Sequence, residues 1–379
     1  MAKSVLLICG TLNQTTQMHQ IASELPGYEH HFTPYYGDVL LDLATRLGLC
    51  EFTVMGEKLA RRTLEYLERH NLRIDHKGKG REHDLVITCS DLVVPKNIRD
   101  KNLVLVQEGM TDPENLMYHF VKRVGFLPRW LASTAANGLS QHYDYFCVAS
   151  HGYRDLFLKK GARPEKIVVT GIPNFDNCAR FLDNDFPHRG YVLVCTSDAR
   201  ETFKIDFRKR FIKRAVEIAA GRQLIFKLHP NEKVKRATAE INKYAPGSLV
   251  YPTGHTEQMI ANCDVLITQY SSTTYVGLAL GKEVHSYFDL DELRRLLPLQ
   301  NRSGARNIAE VCRRLIEGEP VTADLKFEDA RAESSETDLP LPPETGGLDR
   351  ASKASGTPLD LEGPDWGSGT KMELSGAEL

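Results

Sequence analysis

The sequence predicts an α/β protein of two Rossmann-like domains whose parallel sheets face each other across a cleft. Three observations lead there. Short apolar runs recur between Val5 and Tyr287, stretches of helical periodicity separate them, and a turn-rich segment, Asp183–Gly190 (DNDFPHRG), divides them into two series. Runs of Val, Ile and Leu without polar alternation suit parallel strands covered on both faces. Strand alternating with helix implies βαβ units. A length of 379 residues fits two domains of ordinary size and a tail. The expected division is residues 1–185, residues 186–330 and a remainder, 331–379.

The first series places strands near Val5–Cys9, Asp84–Thr88, Leu103–Gln107, Tyr145–Ala149 and Ile167–Thr170. The apolar run in MAKSVLLICG is too short for a signal-peptide core or a membrane span, so it reads as a buried first strand. The second series lies near Tyr191–Cys195, Leu224–Leu228, Leu249–Tyr251, Val265–Thr268 and Glu283–Tyr287. Helical periodicity marks Phe203–Ala220, Glu232–Lys243, Glu257–Ala261, Leu290–Leu296 and Ala305–Glu317. From about Ala332 the chain turns rich in Pro, Gly, Ser and acid with no periodic apolar face, and such a segment is expected to be disordered.

Composition narrows the function. An apolar fraction of 41% with 26% charged residues is that of a soluble globular protein. Net charge is −2, with no basic stripe of the kind nucleic-acid binding needs. The acidic tail carries an excess of negative charge, so the folded part is mildly basic, which suits an anionic ligand or an anionic membrane surface. The eight cysteines are scattered, with no Cys-x-x-Cys pair and no His at zinc spacing, which favours a reducing, cytoplasmic setting.

Chemistry-bearing residues gather where the apolar runs end, and ligands of open α/β sheets bind at strand ends. QLIFKLHPNEK ends a strand on His229-Pro230; alone, the pair is equally a plain strand end with a turn. CDVLITQYSSTTYVGLALGK runs from a strand through Tyr270 into Ser271, Ser272, Thr273 and Thr274 where a helix begins. Hydroxyls and free N–H groups there suit a phosphate, whereas a helix cap needs only one hydroxyl. VLVQEGMTDPENL ends on Gln107-Glu108-Gly109, and a carboxylate at that place could take a proton from an attacking hydroxyl; the alternative is an exposed turn residue.

Weaker signals follow. CGTLNQTTQ places Gly10, Thr11 and Asn13 after the first strand as a candidate acceptor loop. CTSDARETF places Thr196, Ser197 and Arg200 where they could face a diphosphate, although Ser197 or Asp198 serves equally as a helix cap. Leu116–Ser133 mixes apolar residues and Trp130 with Lys122, Arg123 and Arg129, as a peripheral membrane contact would or as an ordinary helix with a charged outer face would. P-loop, nucleophile-elbow and His-Glu-x-x-His motifs are missing.

The order Gln-Glu-Gly, Lys-Leu-His-Pro, Ile-Thr-Gln-Tyr-Ser-Ser resembles nucleotide-sugar transferases of the GT-B fold, in particular the CDP-glycerol glycerophosphotransferase family. It is also similar to bacterial sialyl- and polysialyltransferases, with their acidic-acidic-Gly, His-Pro and Ser-Ser/Thr motifs. TGIPNFD (Thr170–Asp176) resembles the former family's Gly-x-Pro-x-x-Asp stretch. The resemblance implies a cytidine-activated donor, Glu108 as general base, and His229 with Ser271 and Ser272 on donor phosphate. It departs at Gln107, Gln269 and Val276, and the glycerophosphotransferase family usually carries Trp-His-Gly where this chain has Gln107-Glu108-Gly109, so Glu108 matches only the acidic-acidic-Gly motif. The Ser-Gly-Gly and paired Glu of UDP-sugar 2-epimerases, which share the fold, are missing.

The expectation is therefore a GT-B transferase. A nucleotide-activated donor sits on the second domain and a glycan or lipid-linked acceptor on the first, in the cytoplasm, either free or at the inner face of the cytoplasmic membrane. It needs neither cofactor nor metal, because hydroxyls, imidazole and a helix terminus supply positive potential. An epimerase or hydrolase on the same frame, or a catalytically silent nucleotide-sugar-binding domain, is the alternative.

Overall fold

The computed structural model describes residues 2–38, 56–124, 127–202, 205–322, 325 and 327. The tail expected to be disordered lies outside the described residues. Two parallel sheets organise the rest. The first comprises β1 (Ser4–Cys9), β2 (Glu29–Pro34), β3 (Leu85–Thr88), β4 (Asn102–Val106), β5 (Tyr145–Val148) and β6 (Ile167–Val169), in the order β2-β1-β3-β4-β5-β6. The second comprises β7 (Tyr191–Cys195), β8 (Leu224–Lys227), β9 (Leu249–Tyr251), β10 (Cys263–Thr268) and β11 (Glu283–His285), in the order β11-β10-β7-β8-β9. Every ladder is parallel. Each sheet therefore has one edge where all its strands end, with a switch point between β1 and β3 and another between β7 and β10.

The helices are α1 (Leu12–Ser23), α2 (Glu57–Arg69), α3 (Leu116–Val124), α4 (His151–Lys160), α5 (Arg208–Ala219) and α6 (Val234–Tyr244). They continue with α7 (Thr256–Asn262), α8 (Thr273–Ala279), α9 (Leu290–Leu296) and α10 (Gly304–Glu317). All ten strands read from apolar runs are present. The sequence reading missed β2, EHHFTP, because it is an edge strand paired to β1 alone and carries little apolar signal. Helix α5 starts at Arg208, later than the expected Phe203, which lies outside the described residues.

The unalternated apolar runs have the physical cause the sequence suggests. Along β1, Val5, Leu7 and Cys9 enter the core on one face of the sheet, while Leu6 and Ile8 enter the core on the other. In β7, Val192 and Val194 face one layer and Tyr191, Leu193 and Cys195 the opposite layer. The seven cysteines among the described residues are buried and unpaired, behaving as small hydrophobes.

Chain order assigns α10 to the second domain, but packing joins it to the first. Ile308, Val311, Cys312 and Ile316 lie in one core with Val5, Leu7 and Val104. The crossing is fixed by Asp176, the last residue of TGIPNFD. Its carboxylate accepts the Gly304 N–H at 2.8 Å and its carbonyl accepts the Arg302 N–H at 3.0 Å. A helix start needs such an acceptor for its free N–H groups.

Candidate functional site

On the first sheet, β4 runs into Gln107 and Glu108, and β1 runs through Gly10 into Thr11, the N-cap of α1. Glu108 is half-buried. Its Oε1 accepts from the Thr11 hydroxyl at 2.7 Å and its Oε2 from the Gln14 amide at 2.6 Å. Thr11 in turn accepts the Gln14 N–H at 3.2 Å. CGTLNQTTQ has the Thr-x-x-Gln spacing of a capping box, but only the Thr11 half forms, and the Gln14 side chain goes to Glu108 instead of back to the Thr11 N–H. Two donors from α1 thus fix one carboxylate presented by β4, and ion–dipole hydrogen bonds of this kind are about twice as strong as neutral ones. Asn13 reaches the site through its carbonyl, which with that of Glu108 accepts from the Asn174 amide at 3.5 and 3.1 Å.

Gln107, where the similar families carry another residue, has a defined task. It is buried, its Oε1 accepts the Ala149 N–H at 2.9 Å and its amide donates to the Gly109 carbonyl at 2.7 Å. A carboxylate could accept there but not donate. Behind the loop a narrow recess is lined by Cys89, Glu108, Thr111, Thr134, Asn137 and Phe157, among others. Burial first, then the nearby Glu108 carboxylate, pushes the Cys89 thiol well above its ordinary range, which disfavours the thiolate.

On the second sheet, the ends of β7, β8 and β10 converge at the switch point. Ser197 donates to Gln269 Oε1 at 2.6 Å, joining the loops after β7 and β10 across it. Gln269 then donates to Asp206 Oδ1 at 3.0 Å. Asp206 also pairs with Arg208 at 2.9 Å and Arg200 at 3.4 Å, and Arg200 reaches Glu240 at 2.8 Å. Arg208 donates to the Ser197 carbonyl at 2.8 Å and pairs with Glu232 at 2.9 Å.

Glu232 is buried and holds the His229 turn. It accepts the His229 N–H at 3.0 Å and the hydroxyl of Thr196. His229 itself is 38% exposed in its side chain, leaving it open to a ligand. Its Nδ1 accepts the Asn231 N–H at 3.3 Å and lies 3.6 Å from Asp198. Nε2 makes no hydrogen bond among the described residues. Pro230 follows at the bend that carries the ring outward.

The four hydroxyls at the start of α8, Ser271 and Ser272 before it and Thr273 and Thr274 in its first turn, separate into different tasks. Ser271 shares its hydroxyl with that of Thr273 at 2.9 Å and accepts the Thr273 N–H at 3.3 Å. Thr274 is fully buried and donates to the Ser271 carbonyl at 2.8 Å. Ser272 is exposed and makes no capping bond. Two further donors, Arg200 Nη2 and Arg208 Nη1, are buried without a partner among the described residues.

The two sites are joined through aromatics. The Phe175 ring lies against Gly109, where an added Cβ would meet it at 3.1 Å, and 5.9 Å from the Tyr275 ring of α8. Tyr275 and Tyr153 of α4, both fully buried, share a hydroxyl–hydroxyl bond of 2.7 Å. The loop after β4 and the helix after β10 therefore meet across one junction. Sequence reading missed Gln14, Gln269, Glu232 and Arg208, since each acts through a partner remote in the chain. No group of three or more His, Cys, Asp or Glu able to hold a metal is found among the described residues. Nor is any helix among them long and apolar enough to cross a membrane.

The fold is of the GT-B class. A solved UDP-N-acetylglucosamine 2-epimerase superposes with a TM-score of 0.50 at 14% identity, covering 85% of this chain and 99% of that one. The wall teichoic acid polymerase TagF gives 0.48 at 11% identity, covering 83% and 89%. The UDP-GlcNAc 2-epimerase from Neisseria meningitidis bound to UDP-GlcNAc gives 0.45 at 12%, covering 83% and 91%. At such identities the likeness is one of fold. No family model matches the chain, and no curated protein matches it by sequence.

Proposed function

We propose that the chain is a nucleotide-sugar enzyme of the GT-B class acting as a transferase. It binds a nucleotide-activated donor, cytidine-activated by the resemblance of its motifs, against the second sheet. It moves the donor's sugar or glycerol-phosphate group to an acceptor hydroxyl held against the first, in cell-envelope glycolipid or polysaccharide synthesis. Glu108 takes the proton of that hydroxyl as the new bond forms, with Thr11 and Gln14 fixing the carboxylate and the Gly10–Asn13 loop beside the acceptor. His229 Nε2 and the Ser271–Ser272 turn donate to the leaving nucleotide phosphate. Charge developing there is what preorganised donors stabilise. Ser197, Arg200 and Arg208 hold these loops, and Thr273 and Thr274 the helix start behind them. Direct displacement inverts the anomeric centre of a sugar donor. The reading assigns no metal or cofactor.

What carries the reading is the pairing of a fixed carboxylate at the end of β4 with a donor-rich switch point on the facing domain, linked through Phe175 and Tyr275. A panel of CMP, CDP, UDP and GDP in a thermal-shift assay tests the donor. A ligand at 100 times its dissociation constant adds about 2.7 kcal/mol, and cytidine nucleotides are expected to give the shift. The second reading, an epimerase on the same frame, draws support from a fold likeness that spans nearly the whole of an epimerase. Conversion of a UDP-sugar with no acceptor present, together with a shift by uridine nucleotides alone, would establish it instead.

A further inference from the structure

Of thirteen large apolar side chains exposed among the described residues, five lie between Leu116 and Leu131: Leu116, Met117, Phe120, Trp130 and Leu131. Leu116 is the most exposed of them all, at 82%. This is not a core that failed to close. The inner face of α3 already packs Tyr118 and Val121 against Ala132, Ala135 and Ala136 in a small core of its own. At 3.6 residues per turn, Leu116 and Phe120 point away from that face, with Arg123 beside them. Trp130 and Leu131 sit on the adjoining 3₁₀ helix, Arg129–Ala136, which packs on α3.

Within the segment itself the charge is one-sided, with the exposed Asp112 and Glu114 bordering it on the N-terminal side and Asp112 accepting from Ser133 and Thr134. From Asn115 to Tyr143 there is no Asp or Glu, in a chain that carries 50 of them. The same stretch holds Lys122, Arg123 and Arg129, of which Lys122 and Arg123 are exposed. A protein partner offers no reason for excluding acid over so long a run, whereas an anionic bilayer does: basic residues at its surface gain energy and acidic ones lose it. An amphiphilic face with Trp at its border and cations interleaved is the chemistry of interfacial binding.

We infer that Leu116–Val124 together with Leu127–Leu131 is a docking face for an anionic lipid bilayer. The 3₁₀ segment that turns Trp130 and Leu131 outward kinks at Ser133 (φ 51°), and just past the kink Thr134 lines the recess beside Glu108. The docked face and the Glu108 recess are thus contiguous, and an acceptor anchored in the bilayer can present its head group there. The docking face stands on its own; the acceptor clause rests on the transferase reading.

The test uses the full chain with vesicles of phosphatidylcholine alone and of equal parts phosphatidylcholine and phosphatidylglycerol, without donor. Flotation with the anionic vesicles only, lost in high salt, is expected. With Trp366→Phe in place, Trp130 is the sole indole, and its emission shifts to the blue on binding. Replacing Leu116, Phe120 and Trp130 together by Ser abolishes flotation while leaving the unfolding midpoint unchanged. Arg123→Gln weakens partitioning about fivefold. The inference is overturned if the wild-type chain does not float with anionic vesicles, or if the triple variant floats as well as the wild type. A concentration-dependent dimer that the triple variant abolishes, without vesicle binding, overturns it in favour of a second copy. A nucleotide panel that gives no shift while flotation succeeds removes the transferase reading and leaves the docking face standing.

Discussion

Glu108 is held by two donors from a different element, so its orientation does not depend on the acceptor being present. Glu108→Gln is expected to lower turnover by about 10²–10⁴-fold, the worth of a positioned general base, with nucleotide-induced thermal shifts retained. Retained turnover would remove the base assignment. The two glutamines that depart from the similar families are explained by one property, that an amide both donates and accepts. Gln107 bridges the Ala149 N–H and the Gly109 carbonyl; Gln269 bridges the Ser197 hydroxyl and the Asp206 carboxylate. Gln107→Glu sets a carboxylate against a carbonyl and should cost about 1–3 kcal/mol in denaturant unfolding, the penalty of an unmet buried group. The sequence displayed Glu108, His229 and Ser271–Thr274 because strand ends are legible. It could not display Glu232 or Arg208 as partners, because an ion pair between positions 24 residues apart leaves no local pattern.

At the scale of elements, β2 shows how an edge strand escapes the apolar signal. His30 and His31, within EHHFTP, are both held below their ordinary value of 6.5, chiefly by burial. His31 sits with His83, Asp75 and Ser4 at the N-terminal end of the sheet, with Arg81 and Glu29 adding to its field. A histidine whose folded pKa is depressed binds fewer protons folded than unfolded. Its contribution is fully present above 6.5 and is lost as pH falls through the folded value. The unfolding midpoint should therefore drop on acidification below 6.5, and His30→Phe should reduce that slope in a pH series of thermal melts. Helix α4 meets α9 at Gly152, where an added Cβ would fall on the Arg295 carbonyl near the end of α9. Alongside it Ser150 donates to the Leu296 carbonyl at 3.1 Å. Gly152→Ala should destabilise by about 1–3 kcal/mol, as overpacking does, and a chain of wild-type stability would show that the helices part freely.

At the scale of the whole molecule, α10 returns from the second domain to close a core of the first. Residues 1–185 expressed alone should accordingly fail to give a cooperative melt, with co-expressed 304–322 or the whole chain restoring it. Cooperative unfolding of 1–185 by itself would show the returning helix to be dispensable. Apolar periodicity by itself determined the two-domain α/β class, ten strands and the ends where chemistry collects, because burial on both faces of a parallel strand leaves a local, continuous run. Only the tertiary structure decided which sheet α10 completes, which partners hold Glu108 and His229, and which of the four hydroxyls at the start of α8 makes no capping bond. Those outcomes depend on contacts between segments far apart in the chain, and the pattern of a segment carries its own burial but not the identity of what covers it.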